Sequence, residues 1–423
     1  DLDGNGTVDG ADLAILLGEW GTECPTEPVG IRSIQLAGRP LSQFPWFDFV
    51  QSFNFGAPVR FAVDTLRMPE LIGATADVYI TAPRSAAEWQ LNPTLTDVRG
   101  FEQPVTFVAG GVLPNTISLF DSTILLATDG TNFGRSYDLV IDLNRNGILD
   151  DGDLIDGFGD TPGFTVLSNF TLNGPYAVTN PADYTVAGAT SGFTSQRLWY
   201  PSNLASLTPR PIVVISHGNG HSYTWYNYLG SFLASWGYVV ISHQNNTVPG
   251  IETASTTTLQ HTAALINQQA TIAGGVLNGK LDASTIVWIG HSRGGEGVVR
   301  AFDRLFDGTY TPPSNAYSKN SIKQLISIAP TDFLGKGGPT TGSDPHDVPF
   351  FLIYGAADGD GCGCPGNNVA HSFNLYERSV GEHWSTYIHG ADHNDFNCCG
   401  PNDFSGPAGT ALGTAAVQAL MKV

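Results

Sequence analysis

Apolar residues follow two different rhythms along this chain, and the change near residue 184 divides it. Between about 30 and 180 they alternate in short stretches, as in Arg60-Phe61-Ala62-Val63-Asp64, Asp77-Val78-Tyr79-Ile80-Thr81 and Thr123-Ile124-Leu125-Leu126-Ala127. Period two buries one face of a segment and wets the other. With Gly, Pro and Asn turns between the stretches, this predicts an antiparallel β-sandwich over 30–180. From 184 to 423 continuous apolar runs alternate with helical periods, which predicts an α/β region built on a mostly parallel sheet flanked by helices. The predicted strands are 211–216, 238–242, 285–289, 324–328, 349–354 and 383–388. Trp225, Leu229, Phe232, Leu233 and Trp236 lie on one face of a predicted helix, and further helices are expected at 259–270, 296–306 and 411–420.

The run Thr285-Ile286-Val287-Trp288-Ile289 stops at Gly290-His291-Ser292-Arg293-Gly294, and a helix signal follows at once. With 50 glycines in the chain, composition alone would give about 0.4 such pentapeptides, so the flanking strand and helix carry the assignment. The pattern reads as a nucleophile elbow. Glycine flanks the serine because strand and helix approach closely there, and the helix N-terminus aims backbone N–H groups at charge forming near Ser292.

Acyl transfer at a serine needs a base, an acid to orient it and donors for the oxyanion. Each candidate follows a predicted strand. Asp358 comes after Tyr354-Gly355-Ala356-Ala357, and His393 after Ile388-His389-Gly390-Ala391-Asp392. Asp360 and Asp332 are alternative acids. His389 is an alternative base, although it reads better as a packed strand end. His217-Gly218-Asn219-Gly220 follows the strand at 211–216, where half of an oxyanion hole belongs. Tyr223 and Tyr226 come next and are expected on the cleft wall, whereas Trp225 fits the buried stripe.

With these motifs together, residues 184–423 resemble a secreted α/β-hydrolase of the dienelactone-hydrolase, cutinase-like and polyester-hydrolase group. The resemblance implies the α/β-hydrolase fold and a Ser-His-Asp triad of Ser292, His393 and Asp358. It also implies an oxyanion hole from the N–H groups of Asn219 and Arg293. Arg293 stands where polyester hydrolases commonly carry methionine, which counts against aromatic polyesters. The activity implied is ester hydrolysis. An acyltransferase or peptidase could use the same triad, and a catalytically idle calcium-dependent scaffold is the reading from another class.

Cys362 and Cys364 follow the acid, and Cys398 and Cys399 follow the base. Disulfides between the two pairs would hold acid and base in register against loop entropy, and their spacing is wrong for the usual zinc ligands. Cys24 is left over. Two segments carry calcium-loop spacing. The first offers Asp1, Asp3, Asn5, Thr7, Asp9 and Asp12, with Gly6 at the turn. Residues 1–24 resemble one dockerin half-repeat, so a cohesin-type partner is conceivable, but the second half-repeat is absent. The second loop offers Asp142, Asn144, Asn146, Ile148, Asp150 and Asp153. Structural calcium is therefore expected, and no cofactor for the chemistry.

Composition narrows the partners. Against 19 basic residues stand 39 acidic ones, a net charge of −20 that argues against nucleic acid or an anionic membrane. Only 14% of residues are charged, and no apolar run approaches the roughly 20 residues of a membrane span. The turn-rich composition fits a secreted or cell-surface protein, and Asp1 in place of a methionine reads as a processed or a cut start.

Overall fold

The computed structural model describes residues 30–42, 46–128, 134–159, 161–248, 250–335, 342–360 and 373–422. The first calcium-loop segment (Asp1, Asp3, Asn5, Thr7, Asp9 and Asp12) lies outside them, as do Cys24, Cys362 and Cys364. Two compact units emerge, Asp1–Asn169 and Phe170–Val423. The division falls before the change of rhythm near 184, and local packing is the cause. Phe170 rests on Trp236 with ring centroids 4.7 Å apart, the Trp236 indole N–H donates to the Leu172 carbonyl, and the Gly174 N–H donates to the Ser235 hydroxyl.

The first unit is strand-rich. Its strands are β1 (Arg32–Ser33), β2 (Ala37–Pro40), β3 (Phe47–Phe49), β4 (Ser52–Asn54), β5 (Arg60–Ala62), β6 (Thr75–Thr81), β7 (Gln103–Thr106), β8 (Thr116–Ser118), β9 (Gly134–Asp142), β10 (Leu154–Asp156) and β11 (Phe164–Leu167), with one short helix, α1 (Ala86–Leu91). They form a seven-stranded and a four-stranded sheet. Leu36, Ala37 and Phe61 from one side meet Val78, Ile80 and Leu139 from the other in a single core. The stretch 123–127 is not a strand. Ser122–Ile124 forms a 3-10 turn, and the Ser122 hydroxyl accepts from the Val59 N–H. Leu125 and Ala127 are still buried while Ile124 and Leu126 are exposed, so the alternation survives without a ladder.

The second unit holds β12 (Ala182–Thr185), β13 (Ser195–Trp199), β14 (Arg210–Ser216), β15 (Val239–His243), β16 (Leu281–His291), β17 (Ile322–Ile328), β18 (Phe350–Gly355) and β19 (His383–Ile388). Its helices are α2 (Asn227–Ser235), α3 (Ile251–Asn267), α4 (Arg293–Phe306), α5 (Phe373–Arg378) and α6 (Thr414–Leu420). The strands form one sheet in the order β12-β13-β15-β14-β16-β17-β18-β19. β13 pairs antiparallel with both its neighbours, β12 and β15, and the other pairs run parallel. Both faces are covered, which is why the strand sequences read as unbroken apolar runs. Ile212, Val214 and Trp288 pack with Leu259 of α3 and Val298 of α4, while Val213, Ile215 and Ile289 pack with Leu229 of α2 and Val417 of α6.

Register sets the site. Ser216 pairs with Gly290, and Gly355 with Ile388, so the loops leaving β14 and β16 start level, as do those leaving β18 and β19.

Candidate active site

Ser292 sits between the last residue of β16 and the first of α4, with φ 57° and ψ −126°. A non-glycine residue with positive φ is strained, and such strain persists only where its surroundings over-determine it. Here they do. A carbon on Gly290 would collide with the Gly294 carbonyl, and one on Gly294 with the Ser216 carbonyl, so both positions exclude any side chain. The Ser292 N–H donates to the Ile328 carbonyl (2.9 Å), and its own carbonyl accepts from Gly295 N–H (2.8 Å).

His393 lies beyond β19 and Asp358 beyond β18. His393 Nδ1 is 2.8 Å from Asp358 Oδ2, and both side chains are buried. The Asp392 carboxylate accepts from the His393 N–H at 2.6 Å, and His291, next to Ser292, donates from Nε2 to the His393 carbonyl at 3.0 Å. Burial opposes a charge on His393, but the Asp358 hydrogen bond and charge, with Asp360 and Asp392, outweigh it and raise its pKa above the ordinary 6.5. The other candidate acids stand apart from Nδ1. Asp360 is largely exposed and faces Nε2 at 3.5 Å, while Asp332 is engaged by the Arg378 guanidinium (3.0 Å to Oδ2). His389 is exposed rather than packed, because β19 has already ended at Ile388.

The turn after β14 is held by a buried network. The His217 ring donates from Nδ1 to the Gly218 carbonyl (2.7 Å) and accepts at Nε2 from the Asn245 N–H (2.9 Å). Desolvation pushes the His217 pKa down to about 4, so the ring stays neutral and can accept. Asn245 Nδ2 donates to the His217 carbonyl and the Ser216 hydroxyl. Among the described residues, neither the Asn219 N–H nor the Arg293 N–H meets a backbone carbonyl. The Arg293 guanidinium donates to the Thr247 carbonyl at 2.9 Å and lies 5.6 Å from the Phe333 ring centre.

Two expectations are corrected. Tyr226 is fully buried and cannot line a cleft; its hydroxyl is 2.9 Å from His291 Nδ1. Tyr223 remains half-buried at the surface. Cys398 and Cys399 are bonded to each other, so neither sulfur is available to Cys362 or Cys364. Sequence spacing could not reveal a bridge between adjacent residues.

Glu296 was also missed, because a glutamate in the first turn of a helix reads as a solvated residue. It is buried, and its carboxylate gathers four donors: the Thr331 hydroxyl (2.7 Å), the N–H groups of Phe333 and Leu334 (2.8 Å each) and the Ser343 hydroxyl (3.1 Å). Burial raises its pKa against the lowering pull of those N–H groups. Glu296 thereby clamps the segment after β17 beside the elbow.

The second segment with calcium-loop spacing connects β9 to β10. Asp142 accepts from the N–H groups of Arg145 (2.6 Å), Asn146 (3.3 Å) and Gly147 (2.8 Å). Asp153 is buried and accepts from Leu143 and Asp150, and burial pushes its carboxyl up to about 6. Asn144 and Asn146 donate their amides to the two oxygens of Asp150. The three carboxylates do not all fall within 4.8 Å of one another; among the described residues only Asp303, Asp307 and His346 do. The loop nonetheless has the backbone form of a calcium loop, with its first aspartate anchored by three N–H groups and Gly147 at positive φ.

No helix among the described residues is long and apolar enough to cross a membrane. No curated protein matches the chain. Residues 157–332 match the model of a family described as PET hydrolase-like. The match spans the turn after β14, the elbow and β17, and stops before Asp358 and His393. Taken with the sheet order and the strained serine at the strand–helix turn, it supports an α/β-hydrolase fold for the second unit and an ester-hydrolysing activity of the polyester-hydrolase kind.

Proposed function

We propose that this chain is a serine ester hydrolase working through an acyl-enzyme, with Ser292 as nucleophile, His393 as general base and Asp358 as the acid that orients it. One observation carries the reading: the 2.8 Å contact of His393 Nδ1 with the buried Asp358 carboxylate. Asp358 accepts a hydrogen bond from Nδ1–H, which holds the proton there and leaves the Nε2 lone pair for the serine proton. As Oγ bonds to the ester carbonyl carbon, that proton moves to Nε2, and Asp358 stabilises the imidazolium. The oxyanion is taken up by the N–H groups of Asn219 and Arg293 at the start of α4. Collapse breaks the bond to the alcohol oxygen, which leaves with the Nε2 proton. Water then attacks the acyl carbon, passes its proton to Nε2, and the serine hydroxyl is restored as the acid departs.

Short acyl esters are the proposed substrates, with polymer ester bonds second, because Arg293 and Phe333 give this side of the site a cationic, aromatic edge. Calcium at Asp142, Asn144, Asn146, Ile148, Asp150 and Asp153 is proposed as structural. Export to the cell surface or beyond fits the composition. A panel of p-nitrophenyl esters tests the activity, with an optimum expected at butyrate or shorter. Organophosphonate should label wild type but not Ser292→Ala, which should be inactive. An optimum at C12 or beyond, or full activity in Ser292→Ala, would refute the proposal.

A further inference from the structure

A chain of buried hydrogen bonds runs from the base loop to the turn after β14, and proton counting fixes the state of every member. The His393 carbonyl can only accept, so His291 Nε2, 3.0 Å away, carries the proton. His291 is fully buried, which holds its pKa far below the ordinary value and keeps it neutral. Its Nδ1 is therefore a bare acceptor, and the Tyr226 hydroxyl at 2.9 Å must donate to it. That uses the one phenolic proton. His221 Nδ1, 3.2 Å from the same oxygen, must then be the donor. The proton of His221 is thus on Nδ1, and its Nε2 is an acceptor.

His221 stands at the reaction centre. A single carbon placed on Gly218 would lie 2.6 Å from Ser292 Cβ and 2.8 Å from His221 Nδ1, so both side chains pack against Gly218. The His221 ring centre is 6.2 Å from that of His393. Among the described residues Nε2 has no partner, and the side chain is only partly buried. Desolvation pushes the His221 pKa down to about 3, which keeps this acceptor neutral across the working range.

We propose that His221 is a specificity-determining residue: an acceptor locked in one tautomer by Tyr226 and His291, selecting esters whose acyl group carries a hydroxyl next to the carbonyl. The acyl side follows from the mechanism, since the leaving oxygen must face His393 Nε2 whereas His221 belongs to the turn that receives the carbonyl oxygen. This inference rests on the esterase reading and adds the substrate class, 2-hydroxyacyl esters. A site with a placed acceptor discriminates against an analogue that cannot donate.

The test compares kcat/KM, by pH-stat, for ethyl 2-hydroxypropanoate, ethyl 2-methoxypropanoate and ethyl propanoate. The methoxy ester matches the inductive effect of the hydroxyl but has no proton to give. Wild type should favour the hydroxy over the methoxy ester by about tenfold. His221→Leu should bring that ratio near one, His221→Gln should keep most of it through the amide oxygen, and Tyr226→Phe should reduce it by releasing the tautomer. A wild-type ratio near one, a ratio unchanged in His221→Leu, or a preference confined to 2-hydroxyethyl esters on the alcohol side overturns the selection while leaving the esterase intact. Absence of Ser292-dependent hydrolysis of all three esters overturns the esterase reading, and this inference with it.

Discussion

Glu296→Gln is a one-atom change whose cost can be worked from the geometry. Oε2 receives the Thr331 hydroxyl and the Phe333 N–H, and Oε1 receives the Leu334 N–H and the Ser343 hydroxyl. Each oxygen thus faces one main-chain N–H that cannot turn away. Wherever glutamine places its NH2 group, that group meets an N–H donor, while the hydroxyl beside it can rotate to adapt. One buried N–H and one amide N–H are left unpaired. At about 1–3 kcal/mol for each buried unsatisfied group, the loss is about 2–6 kcal/mol. For a unit of this size that lowers the melting temperature by roughly 5–20 °C. The elbow should loosen as well, since the clamped segment includes Thr331, whose N–H donates to the Ser292 carbonyl at 3.4 Å. Calorimetry of the second unit's transition, with kcat on p-nitrophenyl acetate well below that transition, reads both effects. A melting temperature within about 2 °C of wild type would refute the reasoning, because it would mean the four donors find other partners.

The base gives a pH prediction. On the proposed mechanism activity needs neutral His393, whose pKa is raised, so the acid limb of kcat/KM should have its midpoint above the ordinary 6.5. Asp358→Asn should lower that midpoint and cut the rate by roughly ten-thousand-fold, and Asp360→Asn should lower the midpoint with far less loss; a midpoint below 6.5 in wild type contradicts the assignment. The same raised pKa makes the stability contribution of His393 fully present below its unfolded pKa, and that contribution is lost as pH rises through the folded value, which urea titration across that window can follow. Calcium at a hundredfold excess over its dissociation constant should stabilise the first unit by about 2.7 kcal/mol, and equal melting curves in calcium and EDTA would show that the loop at 142–153 is a bare turn.

Local patterns by themselves make the second unit legible. An elbow needs small residues where strand and helix backbones touch, so Gly290-His291-Ser292-Arg293-Gly294 carries its own geometry, and buried parallel strands must be apolar on both faces. Asp358 and His393 could be proposed because each follows a strand. That they meet at 2.8 Å was decided by the level ends of β18 and β19, a register no local pattern encodes. Tertiary packing alone turned Tyr226 inward, where its hydroxyl proton serves His291 instead of a substrate. It also drew Phe170 to Trp236 and so moved the boundary between the units. Glu296 marks the limit most clearly: a charged side chain is buried only when enough donors converge on it, and those donors come from residues 35 to 47 positions away. Sequence determined which residues could do chemistry here, through composition and spacing along one strand or helix at a time. The fold decided which of them meet, because long-range hydrogen bonds and burial depend on what the rest of the chain brings alongside.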